Sequence, residues 1–271
     1  MKLDAELLAQ RALWAGQHAL SIFSAMLALL LVATFACWWA LRRYTVLRRR
    51  WTLSPPLSMG LGSAVGFAVI LVAAAVFNEL AGQLDVGGAL ERADRVFSNA
   101  LLTGVPPLAL QVFAAFTRLG DTATLTGLCI AVTMALVVLD RRLLALGWVV
   151  AVAGNGLLNL SLKQIFGRDR PLQPDGVVLE QGFSFPSGHS SGSVVAFGML
   201  AYVALQLLPA RWQLPTMLAA VALAFTVGAS RMFLRVHFAS DVIAGFASGA
   251  AWLAVCVTSI ELARWCCRRT A

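Results

Sequence analysis

The chain has 271 residues, of which 59% are apolar and 13% charged, against about 25% charged residues in ordinary soluble domains. A water-soluble fold has nowhere to place that apolar excess, whereas a bilayer solvates apolar side chains itself, so the composition excludes a soluble globule. The net charge of +8 does not mark a nucleic-acid surface either, because no soluble basic domain carries it.

Residues 1–18 read as a short amphipathic lead-in, with Leu3, Leu7, Leu8, Ala12 and Leu13 as its apolar residues. The first long apolar run, 20–40, does not read as an obvious signal peptide: Asp4 and Glu6 precede it, it is too long, and Arg42, Arg43, Arg48, Arg49 and Arg50 follow it. Residues 51–56 form a connection in which Pro55 and Pro56 open the next helix, where proline is tolerated. The second run, 57–77, contains Gly60, Gly62 and Gly66, and their small-x3-small spacing predicts close helix packing. In the long stretch 85–121, Pro106 and Pro107 separate two segments with helical spacing, 89–102 and 108–118. Both are too short and too polar to span and are expected at the membrane interface.

Further apolar runs cover 122–139, 143–162, 190–208, 214–230 and 242–260, and a Gly-, Pro- and charge-rich loop lies at 167–187. Each of the seven runs is about long enough to cross a hydrocarbon core of ~30 Å at ~1.5 Å per residue. With alternating helices, the arginines after the first run, Arg141 and Arg142, and Arg264, Arg268 and Arg269 share one side. That is the positive-inside pattern. Glu79, Asp85, Glu91, Asp94, Asp121, Asp175 and Glu180 fall on the other side. The expected fold is an all-α polytopic transmembrane bundle, divided into an N-terminal part, 1–56, and a membrane core, 57–271.

Several residues carry plainer expectations. Trp38, Trp39, Trp51, Trp148 and Trp265 are expected to be interfacial anchors. Asn155, Asn159 and Ser161 are expected to hydrogen-bond neighbouring helices. His18 is expected to be structural. Cys37, Cys129 and Cys256 lie within runs and Cys266 and Cys267 in the basic tail, which predicts reduced thiols rather than a structural disulfide. Arg168 and Arg235 are expected to snorkel toward lipid headgroups.

Three segments place charge where it is costly. Lys163 to Pro171 (KQIFGRDRP) ends the fourth run, Phe185 to His189 (FPSGH) precedes the fifth, and Ser230 to Asp241 (SRMFLRVHFASD) joins the last two. The 42 residues from His189 to Arg231 amount to about two crossings, so a helix out and a helix back return to the same face. Ionisable groups at a membrane edge are functional candidates by default. Lys163, Arg170 and Arg231 make a concentrated positive site, and arginine forks suit phosphate oxygens. Pro186, Ser187 and Gly188 before a helix offer free N–H groups and the favourable dipole end, with Ser187 as N-cap. Of the two histidines, one can attack phosphorus as a neutral imidazole and the other can protonate the departing oxygen. Asp241 stands four residues after His237, one helical turn away, where a carboxylate can hold the imidazole tautomer. No cofactor is required, and no metal, because lysine and arginine supply the positive charge.

These segments resemble the signature of the type 2 phosphatidic acid phosphatase family: Lys-x6-Arg-Pro, Pro-Ser-Gly-His and Ser-Arg-x5-His-x3-Asp. Here they are Lys163 to Arg170-Pro171, Pro186 to His189, and Ser230-Arg231 to His237 to Asp241. The resemblance covers roughly 57–260. It implies His237 as a nucleophile that becomes phosphohistidine, Asp241 as its support, and His189 as general acid. It implies Lys163, Arg170, Ser187, Gly188 and Arg231 as the phosphate cradle. The family core has six helices, so run 20–40 is an addition in front. Asp169 occupies a position where relatives often carry proline.

The expected activity is a metal-independent hydrolase for a lipid phosphate or diphosphate, among them phosphatidylglycerol phosphate, phosphatidic acid, undecaprenyl diphosphate and lipid A. The expected site is the periplasmic face of a bacterial inner membrane, with membrane lipids as partners and no nucleic acid. A phosphotransferase using the same phosphoenzyme is the first alternative. An anion transporter fits less well, since the charges stack at one end of the helices instead of lining a path. A vanadate haloperoxidase shares a similar cradle but belongs to a mainly soluble group.

Overall fold

Apolar runs bounded by arginine, proline and glycine fold as helices because a backbone in lipid must satisfy its own hydrogen bonds. The computed structural model describes residues 2–48, 55–171 and 181–270, with side chains described over 5–43, 59–171 and 181–267. The connection 49–54 and the loop segment 172–180, with Arg49, Arg50, Trp51, Asp175 and Glu180, lie outside the described residues. The side chains of Leu3, Asp4, Arg48, Pro55, Pro56, Arg268 and Arg269 do as well.

The described residues form α1 (Lys2–Gln17), α2 (Ala19–Arg48), α3 (Pro55–Ala81), α4 (Ala89–Gly104), α5 (Pro107–Thr117), a 3-10 turn (Arg118–Gly120), α6 (Thr122–Val138), α7 (Arg142–Phe166), α8 (Gly188–Leu207), α9 (Ala210–Phe233) and α10 (Ala239–Thr270). The fold is an all-helical transmembrane bundle, and the protein is an integral membrane protein. Six helices (α2, α3, α7, α8, α9 and α10) are long and apolar enough to span. The seventh expected span, α6, has only 17 residues, or about 26 Å at 1.5 Å per residue, and is shorter than the others. α4 and α5 are bent by 119° to one another at the Val105–Pro106 break, so the proline pair divides them where the sequence predicts.

Without a hydrophobic drive between helices in lipid, close packing holds the bundle. Around Trp148, α6, α7, α8 and α10 share a cluster that includes Leu136, Ala151, Val195, Met199 and Ile260. Trp148 is fully buried, with its indole N–H donating to the Cys129 carbonyl at 3.0 Å. It is therefore a core residue, not an interfacial anchor, because it lies on the buried stripe of α7 with Ala151, Asn155 and Asn159. Trp38 and Trp39 sit at the far end of α2 beneath the Arg42 and Arg43 guanidinium groups, 4.7 and 5.1 Å away.

Two other expectations are corrected. Of the three glycines in α3, only Gly66 meets a neighbour: a Cβ there would lie 2.5 Å from Thr258 Oγ1, whereas Gly60 and Gly62 face open space. α3 packs along α10, and Gly66 is the one of the three that faces it. Ser161 donates to Leu157 O of its own helix at 3.0 Å, whereas Asn155 and Asn159 do cross to α8.

The aromatic contacts show how the helix ends gather. Phe23 at the start of α2 meets Phe113 of α5 and Phe233 at the end of α9. Phe77 near the end of α3 meets Phe166 at the end of α7 and Phe185 just before α8. The starts of α2, α6, α8 and α10 and the ends of α3, α7 and α9 therefore meet at one end of the bundle. Arg42, Arg43, Arg141, Arg142 and Arg264 stand at the opposite ends of these helices.

Candidate active site

α9 stops after Phe233, and the turn through Arg235 leads into α10. Arg235 has a left-handed φ of 56°, a conformation uncommon outside glycine. The turn places His237 just ahead of α10 and Asp241 in its first turn, where the helix dipole favours a carboxylate. His237 Nδ1 lies 3.4 Å from Asp241 Oδ2, which also accepts the Phe238 N–H at 2.9 Å. Burial holds the His237 imidazole well below its ordinary pKa, and the charges of Arg170, Arg231 and Lys163 push the same way. The ring is therefore neutral at pH 7. A proton on Nδ1, facing Asp241, leaves the lone pair on Nε2. Nε2 lies 3.1 Å from Arg170 Nη1.

α7 ends at Gly167, whose left-handed conformation closes the helix. Lys163 in its last turn donates to the Phe183 carbonyl at 2.6 Å, and Arg170 Nε donates to the Gly182 carbonyl at 2.9 Å. Ser187 caps α8: its Oγ accepts from the Ser190 N–H at 3.3 Å. The Ser187 N–H donates to the Asp241 backbone carbonyl at 3.0 Å and so ties the second motif to the third. This approach needs glycine on the partner helix, because a Cβ at Gly245 would lie 2.6 Å from Ser187 O. Arg231 ends α9, almost fully buried, with Nη1 donating to Thr117 Oγ1 at 2.6 Å.

The structure brings the three motifs together. Lys163, Arg170, Gly188, His189 and His237 line one cavity of about 640 Å³. Ser187, Arg231 and Asp241 are buried behind that lining. The cavity continues between α6 and α7 along Leu125, Cys129, Val152 and Leu160, so a polar pocket opens onto an apolar cleft.

Arg168 departs from the expectation. Its side chain is only 10% exposed and bridges two buried carboxylates: Nη1 donates to Asp241 Oδ1 at 2.6 Å and Nη2 to Asp94 Oδ2 at 2.8 Å. The guanidinium also lies over the Phe238 ring at 4.5 Å. Burial works against its charge, but Asp241 and Asp94 outweigh it and raise the pKa. Two carboxylates within reach offer more than lipid headgroups do, which is why the side chain turns inward. Arg235 likewise finds a protein partner, Ser98 Oγ, at 3.4 Å. Asp169 is exposed, and its backbone carbonyl accepts from Ser184 Oγ at 2.9 Å.

Sequence reasoning missed four other positions. Asp94 accepts from the Ser240 N–H at 3.2 Å and also bonds the Ser240 hydroxyl. Ser184 pins the Arg168–Asp169 backbone, and Thr117 holds Arg231. Asp121, counted only as an external acid, contacts His189. Asp94 left a readable signal: it sits among Leu90, Phe97 and Leu101 at helical spacing, a charge on the apolar face of α4.

A protein-family model described as the PAP2 superfamily matches residues 142–265. Phosphatidylglycerophosphatase B of Bacillus subtilis is 32% identical over 164 residues, covering 59% of this chain and 80% of the relative. Lipid A 1-phosphatase of Rhizobium johnstonii is 38% identical over 122 residues, covering 42% of this chain and 46% of the relative. The crystal structure of a transmembrane PAP2 type phosphatidylglycerolphosphate phosphatase from Bacillus subtilis aligns with a TM-score of 0.66 at 28% identity, covering 71% of this chain and 96% of that one.

Proposed function

Because this chain belongs to the PAP2 superfamily of membrane lipid phosphatases, we propose that it hydrolyses a lipid phosphate or diphosphate through a phosphohistidine on His237. The observation that carries the reading is the buried, neutral His237: Nδ1 faces Asp241, and Nε2 faces the Arg170 and Lys163 side of the cavity. Lys163, Arg170 and Arg231 bind the phosphate oxygens, with N–H groups at the start of α8 around Ser187 and Gly188 as further donors. His237 Nε2 attacks phosphorus while His189 protonates the departing oxygen. Asp241 stabilises the positive charge that grows on His237. Water then attacks the phosphohistidine, with His189 taking its proton. The three cations supply the transition-state stabilisation that a metal would otherwise give.

The apolar cleft between α6 and α7 supports entry of the lipid tail from the side, with the phosphate reaching the polar end. The arginine distribution supports a site on the outer, periplasmic face of a bacterial inner membrane. The names of the two relatives make phosphatidylglycerol phosphate the first substrate to test and lipid A the second. Purified protein should release phosphate from at least one of phosphatidylglycerol phosphate, phosphatidic acid, undecaprenyl diphosphate and lipid A, in the presence of chelator, and His237→Ala should release none. Strict dependence on added Mg²⁺ would refute the metal-free reading. Passage of labelled phosphate to a second lipid instead of water would replace hydrolysis by transfer.

A further inference from the structure

We propose that Asp121 is a positioning residue for the reaction: it holds His189 by Nε2, keeps it charged, and so fixes Nδ1 as the atom that gives and takes the proton. The proposal rests on the assignment of His189 as general acid above.

Asp121 stands at the N-cap of α6, where aspartate ordinarily caps the helix. Its side chain makes no capping bond there. Instead Oδ1 lies 2.9 Å from His189 Nε2. The neighbouring residue fits the same arrangement, since a Cβ at Gly120 would lie 2.9 Å from His189 Cδ2. The Nε2–Cδ2 edge of the ring is thus packed against residues 120–121. Nδ1 lies on the opposite edge of the ring, away from residues 120–121.

The charges around His189 make a carboxylate necessary. Lys163 from the end of α7, Arg170 from the following loop and His237 from the turn before α10 line the same cavity. Arg231 lies behind them at the end of α9, and exposed Arg118 is on the same 3-10 turn that precedes Asp121. The charges of Lys163, Arg170, Arg231 and Arg118 favour the neutral imidazole, His237 being itself neutral, whereas a general acid must start protonated. A carboxylate in contact favours the charged form. The proton balance closes on Nδ1. As the His237 Nε2–P bond forms and the P–O bond breaks, the Nδ1 proton passes to the leaving oxygen. His189 is then neutral and keeps its proton on Nε2, hydrogen-bonded to Asp121 Oδ1. In the second half Nδ1 takes a proton from the attacking water, which restores the imidazolium.

The test compares full-length Asp121→Asn and Asp121→Ser, purified in detergent, with the wild type on phosphatidic acid and on p-nitrophenyl phosphate. Serine retains capping chemistry, so a helix-start defect alone would be repaired by it. With phosphatidic acid, whose leaving group is a poor one, kcat should fall about 100-fold in both variants, with KM changed less than about threefold. The alkaline limb of kcat/KM should move down by about one pH unit. With p-nitrophenyl phosphate, whose leaving group needs little protonation, the loss should stay under about tenfold; if the wild type does not turn it over, the pH limb decides alone. Asp121→Asn added to His189→Ala should cost nothing further. Equal losses on both substrates, an unmoved alkaline limb, rescue by serine, or multiplied losses in the double variant would overturn the proposal. Activity in His237→Ala would instead overturn the phosphohistidine reading, so the two failures are distinct.

Discussion

Replacing Arg168 by methionine removes the cation between two carboxylates that are 4% and 0% exposed. Breaking a buried pair by deleting one partner costs about 3–5 kcal/mol, because the remaining charge stays buried. Here two acids lose a partner at once, and the Ser240 hydroxyl loses the Arg168 Nη1 donor at 2.7 Å. At about 2–4 °C per kcal/mol, thermal unfolding in detergent should fall by roughly 10 °C. Asp241 would also lose the contact that fixes Oδ1, so kcat should drop about tenfold or more. Asp94→Asn keeps an acceptor for Ser240 and leaves Arg168 its Asp241 contact, so it should cost less than Arg168→Met. Combining the two changes should cost less than their sum, since both act on one network. A snorkelling arginine would behave otherwise: Arg168→Met within about 0.5 kcal/mol of wild type, with unchanged kcat, would refute the reasoning.

Two further outcomes follow from the same geometry. The acid limb of kcat/KM should lie well below the ordinary histidine value near ~6.5, because the nucleophile must be neutral and burial depresses its pKa; activity is kept as pH falls through 6.5 and lost only at lower pH. An acid limb at or above that value, unchanged between substrates of different phosphate pKa, would contradict it. Gly245→Val should separate α8 from α10 at the Ser187 carbonyl, with phosphate release down more than about tenfold while the chain still inserts in the membrane; wild-type release would contradict the close approach.

The helices and the co-facial motifs were legible because a membrane allows few solutions: apolar runs of one length, turning at charged ends, return alternate ends to one face. Lys163, Arg170, His189 and His237 therefore reach one cavity from four separate positions. The Arg168 pairing was not legible, since Asp94 lies 74 residues away on a helix whose packing the sequence does not specify. Nor could an N-cap aspartate be seen to turn from its own helix to His189. Trp148 was legible in principle, because Trp148, Ala151, Asn155 and Asn159 form one helical stripe, and the asparagines already pointed that stripe inward.

The central claim is a covalent phosphate on His237. Wild-type protein mixed with a radiolabelled lipid phosphate and quenched within milliseconds should carry an acid-labile, base-stable label that maps to the peptide containing His237, with His189→Ala still labelled when the leaving group is activated and His237→Ala blank. Label on another residue, or full turnover by His237→Ala without label, would contradict the account.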